Sequence, residues 1–152
     1  MEISETIKAI QYVVAPAVMV SSSALLLLGF QTKFSNLASR FRLLNNEKRL
    51  LVQKTVLAAF EEDRLQNLER QLEQLMRRAF FIRNAILAAY SGIVGFSVSS
   101  VLIFADLYLA GSFHPWIVGV FMLGFACVLA ACVFMIVETQ GFYRVMRLED
   151  AV

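Results

Sequence analysis

The chain has 152 residues, 59% of them hydrophobic and 17% charged, with a formal net charge of +2. A soluble domain carries about 45–50% apolar residues and about 25% charge, so this composition excludes a soluble protein built on one large core. One histidine and two cysteines, with no C-x-x-C and no Cys/His cluster, leave no metal motif to read and no cofactor to expect.

The charges are clustered. No Asp, Glu, Lys or Arg lies between Arg83 and Asp106, and none between Asp106 and Glu138, where only His114 titrates. Apolar windows of this length are transmembrane candidates, because about 20 helical residues cross the hydrocarbon. The residues ahead of the first apolar segment include Glu2 and Glu5 against Lys8. A cleaved signal starts with a basic region, so a retained anchor is expected.

Span one is predicted over about 10–30. Pro16 lies inside it and removes one backbone donor, a defect that membrane helices tolerate when neighbours resatisfy the freed carbonyl. Ser21, Ser22 and Ser23 follow at mid-depth, where a hydroxyl bonds back to the preceding turn or across to another helix. Ser22 is a candidate for helix packing or for lining a pore.

A polar, basic stretch over about 32–83 follows, with no Gly and no Pro. Phe30, Phe34, Leu37, Phe41 and Leu44 recur at steps of four and three, one face of a helix. Asn45-Asn46 is the best turn signal. From Glu47 to Phe60 the apolar residues fall nearly all round the wheel, which requires burial, and a second subunit is the expected cover. Glu61-Glu62-Asp63 marks a helix start, since acids favour the first turn. Leu65, Leu68, Leu72, Leu75, Ala79, Ile82 and Ile86 then form about three heptads of coiled-coil-like seam. If the descending arm stops at Leu44 it reaches roughly 20 Å, against roughly 55 Å for Glu47–Arg83. A break near Glu61–Asp63 is therefore expected.

The seam runs into span two, over about 85–109. Asn84, Ala88, Ser91, Gly95, Ser99 and Asp106 share one face by their spacing. Small residues let helix backbones approach closely, and an acid at the end of the stripe must face protein or water. Ser91, Gly95, Ser99 and Asp106 are candidates for helix packing or for lining a pore. As a packing seam, the stripe requires Asp106 to bond to a neighbouring helix end, Ser112 or His114.

A short turn leads to span three, over about 116–137, and to a tail over 138–152. Trp116 and Tyr108 suit one membrane interface, Tyr143 and Arg144 the other. Glu138 lies at the end of this span and needs a cation beside it. Arg83 is the candidate partner at the same level, with Arg78 and Arg144 as alternatives. Eleven of the Lys and Arg residues fall in Lys33–Arg83, two in the tail, one ahead of span one and none in Leu107–Trp116. The positive-inside rule then puts the N-terminus outside, and the polar stretch and the tail in the cytoplasm.

The fold class read from these residues is all-α: one membrane domain over 1–152, with three spans and a long cytoplasmic helical hairpin or stalk between the first two. PAVMVSSSALLLLGFQTKFSNLASRFRLLN, with the later LEQLMRRAFFIRNAILAAYSGIVGFSVSSVLI, resembles the DUF2721 family of small bacterial membrane proteins of unknown function. The resemblance implies a multi-pass protein of the bacterial inner membrane and attaches no activity.

No enzyme constellation is present: the serines lie in apolar spans with no His or Lys to activate them, and no glycine loop cradles phosphate. The acids and bases of the stalk alternate, as on a solvated face, so nucleic acid is not an expected partner. Two functions from different classes remain. One is a homo-oligomeric scaffold or interaction protein, with membrane lipid, itself and a cytoplasmic or membrane protein as partners. The other is a homo-oligomeric ion channel lined by the Ser/Gly face of span one or two.

Overall fold

The computed structural model describes the backbone of residues 3–53, 59–109 and 114–149, and the side chains of 14–53, 62–106 and 114–140. Within these ranges the chain forms three helices: α1 over Ile3–Val52, α2 over Ala59–Leu109 and α3 over His114–Glu149. All three are long and apolar enough to cross a membrane. Side chains as apolar as Leu25, Val101 and Leu123 are exposed on their outer faces, which suits a surface meant for lipid rather than water.

α1 passes through Asn45-Asn46 without turning, which corrects the turn expected there. Asparagine costs a helix only a few tenths of a kcal/mol more than an average residue, and tertiary contacts beyond it override that. Glu47 accepts from Arg64 Nε at 2.9 Å, and Lys48 lies 2.8 Å from Glu69. These bonds, both to α2, hold the two turns that follow the asparagines. Gln53 N still donates to Arg49 O at 3.1 Å.

α2 begins at Ala59, two residues before the acids that mark a helix start, and continues unbroken through Glu61–Asp63. The expected break is absent because the two arms match. Lys33 to Val52 and Ala59 to Arg78 are each nineteen residues apart, or roughly 29 Å. Leu50 and Val52 are exposed and Leu51 is half-buried. The side chains of Val56, Leu57 and Phe60 lie outside the described residues, as do those of Tyr108, Ser112, Tyr143 and Arg144.

α2 is the middle helix, antiparallel to both neighbours and packed along each. Its predicted seam is buried at Leu68, Leu72, Leu75 and Ile82. The core joins Leu27, Phe30 and Leu37 of α1 to Ile82, Ala85 and Ala89 of α2 and to Ala131 and Met135 of α3. Farther along, Phe96 is fully buried and stacks at a tilt on Phe121, with ring centroids 5.3 Å apart. The ring of Pro16 is buried as well, and α1 runs through it.

Glycines set the α2–α3 distance. A Cβ at Gly92 would lie 2.5 Å from Val128 Cγ2, and one at Gly95 would lie 3.0 Å from Gly124 Cα. Neither backbone can yield without parting the helices, so we expect Gly95→Leu to cost about 3 kcal/mol or more through overpacking. Gly119 has open space in front of it, and Gly119→Leu is the control. Thermal unfolding in detergent checks this: G95L should melt well below wild type and G119L close to it.

Candidate functional site

The polar hairpin joins the apolar spans at a buried carboxylate. Glu138, in α3, has a side chain only 3% exposed. Arg78, from α2, donates to Glu138 Oε1 through both Nε and a terminal nitrogen, at 2.9 and 2.7 Å. Lys33, from α1, approaches Oε2 to 3.8 Å and donates to Thr139 Oγ1 at 3.3 Å. Thr139 Oγ1 donates in turn to Met135 O at 2.9 Å. One acid and two bases thus tie all three helices together. A carboxylate this buried is tolerated only when paired and hydrogen-bonded, and the planar guanidinium supplies two bonds at once.

The sequence places Arg78 on the right face. It is in phase with Leu75, Ile82 and Ala85, the buried side of α2. Arg83, the candidate partner, lies five residues on, about 140° round the helix. It is exposed, with its guanidinium carbon 6.0 Å from the Phe80 ring centroid. Membrane level alone suggested Arg83; helical phase decides for Arg78. Lys33 was missed because nothing in one sequence says that α1 passes so close to α3.

The predicted stripe of span two divides. Gly95 and Ser99 are buried, with Gly95 against Gly124 of α3. Ser91 is exposed and its hydroxyl donates to Leu87 O at 3.0 Å. The buried line runs through Ala85, Ala89, Gly92, Phe96 and Ser99, so Gly92 holds the place assigned to Ser91. Ser99 Oγ is buried and has no hydrogen-bond partner among the described residues. In span one, Ser22 is exposed and donates to Val18 O at 2.9 Å. Asp106, at the far end of the stripe, has a side chain 17% exposed, and its Oδ2 is 3.2 Å from His114 Nδ1. That contact links the end of α2 to the start of α3, as a packing seam requires. Among the described residues no three His, Cys, Asp or Glu side chains gather as a metal site.

Three long apolar helices, with charges at their ends and a paired acid where they meet, define a multi-pass membrane protein. The chain belongs to the DUF2721 family, described as a protein of unknown function, whose sequence profile matches residues 13–148. No curated protein matches it, and no solved structure does.

Breaking the clasp should be costly. Glu138→Gln leaves two cations facing a neutral group, and Arg78→Ala leaves Glu138 with Lys33 alone. We expect each to lose about 2–3 kcal/mol, below the 3–5 of a fully enclosed pair because Arg78 and Lys33 reach solvent. Arg83→Ala should lose under about 1 kcal/mol. Thermal melts of the three variants in detergent check the order, and an R83A as damaged as R78A would contradict it.

Proposed function

We propose that the protein is a homo-oligomeric membrane scaffold whose polar hairpin stands outside the membrane as a stalk. It meets lipid along its spans, and its partners are further copies of itself and a cytoplasmic or membrane protein. The observation that carries this is the outer face of the hairpin. Leu43 and Leu50 are 70% and 67% exposed there, among the exposed Arg40, Arg42 and Arg49. Large apolar side chains in line on a solvated helix mark an interaction surface. The reading includes no enzymatic activity, no cofactor and no nucleic acid.

The surrounding membrane in this reading is the bacterial inner membrane, with the N-terminus outside and the stalk and C-terminus in the cytoplasm. The excess of Lys and Arg in Lys33–Arg83 supports that orientation. A cysteine at Asn67 should react with reagents from the cytoplasmic side, and one at Ser112 with reagents from outside. Labelling of Ser112 only from the cytoplasm would reverse the topology.

The channel reading draws less support. Gly95 lies against α3, Ser99 is buried and Asp106 is engaged by His114, which leaves the Ser22 face of α1 as its lining. In detergent, light scattering should give the mass of two or more chains. In liposomes the protein should pass no ions. A cation flux that changes in Asp106→Asn would favour the channel over the scaffold.

A further inference from the structure

The buried residues of α1, among them Ser23, Leu27, Phe30 and Leu37, all turn toward α2. On the opposite face the exposed residues keep a seven-residue interval. Ala15, Ser22 and Gly29 occupy it within the span, Asn36 follows, and Leu43 and Leu50 occupy it in the polar hairpin. Three residues after the members of this series come Val18, Leu25, Thr32, Ser39, Asn46 and Gln53, also exposed. Alternating steps of three and four over such a length, roughly 57 Å from Ala15 to Gln53, have the spacing of a left-handed two-stranded coil. The series is apolar or small at Ala15, Val18, Leu25, Gly29, Leu43 and Leu50, with Asn36 as a polar residue of the kind that fixes register. The inner face has the same spacing, so the outer seam stays opposite α2 from end to end.

Among the described residues nothing covers this seam. A Cβ added to Gly29 meets nothing within 4 Å, so no neighbour among the described residues requires that glycine. In lipid, small residues matter where another helix backbone comes close. Outside lipid, Leu43 and Leu50 gain only if water is excluded from them.

Charge points to the occupant. In the register that puts Leu43 and Leu50 in the seam, Arg42 and Glu47 flank it. They are five residues apart, the offset at which flanking side chains pair across a parallel two-stranded coil. Both bonds from Arg64 fall on Glu47 Oε1, which leaves Oε2 for a second cation. Copies inserted in one membrane share one orientation, so an α1 that meets another α1 does so in parallel. The same positions then face each other across a two-fold axis, small against small in the span and leucine against leucine in the hairpin.

We infer that α1 pairs along this face with α1 of a second copy, parallel and in register. This rests on the oligomeric reading above and names its interface. The test replaces Cys127 and Cys132 by serine and places single cysteines at Leu43 or Leu50, or at Gln66 or Gln74, which are exposed on α2. Oxidative crosslinking in membranes should join two chains efficiently at the first pair of sites and several-fold less at the second. Separately, Leu43→Lys with Leu50→Lys alters only exposed positions. It should keep the helical circular dichroism and reduce the detergent mass to one chain. An oligomeric wild type whose seam cysteines crosslink no better than Gln66 and Gln74, and whose double lysine variant keeps its mass, overturns this interface and spares the scaffold. A monomeric wild type overturns both.

Discussion

A carboxylate enclosed by protein beside hydrocarbon has to have a cation within reach, and Glu138 meets that constraint by setting the register of the whole molecule. Its partner is Arg78, and the rest can be counted from that bond. Gly92 stands fourteen residues along α2 from Arg78, and Gly124 stands fourteen residues back along α3 from Glu138. The pairing of charges at one end thus brings glycine opposite glycine at mid-span, where the backbones nearly touch. On the other side, Lys33 stands nineteen residues before the end of α1, as Arg78 stands nineteen after the start of α2. The same clasp that aligns α2 with α3 lets the hairpin arms finish level. Slipping either helix by one turn would part the charges and push side chains into the glycine contact together.

The two halves of the molecule are held by different physics. Between α2 and α3 the contact is close and dry, made by Gly92, Gly95, Ala131 and the tilted Phe96–Phe121 pair. In lipid no hydrophobic effect draws helices together, so fit of this kind supplies the attraction. In the hairpin, leucines bury apolar area against a neighbour, with Glu47–Arg64 and Lys48–Glu69 at the rim. Such exposed pairs contribute little stability, but they hold the last turns of α1 on α2.

These differences bear on function. Of the small residues that could have lined a conduit, Gly95 and Ser99 are buried in packing, and the acid at the far end of the stripe is engaged by a histidine. What is left facing outward on α1 is an exposed seven-residue series, small in the apolar stretch and carrying Leu43 and Leu50 in the polar one. In the scaffold reading, that face is where another helix docks.

Composition and periodicity determined the class of this protein. Three apolar stretches of spanning length have to be helices, because hydrocarbon offers no partner to an open backbone group. The basic stretch between the first two, free of Gly and Pro, had to be helix as well. The requirement that Glu138 find a cation was legible too, since an acid at the end of an apolar span cannot stay alone. Only the tertiary structure decided which cation, how far α1 runs and which stripe of α2 is buried. Arg78 rather than Arg83, Gly92 rather than Ser91, and a helix running through Asn45-Asn46 to Val52 all follow from the phase and register of one helix against another. Those are set by contacts between residues far apart in sequence, and local propensities of a few tenths of a kcal/mol are too weak to overrule them.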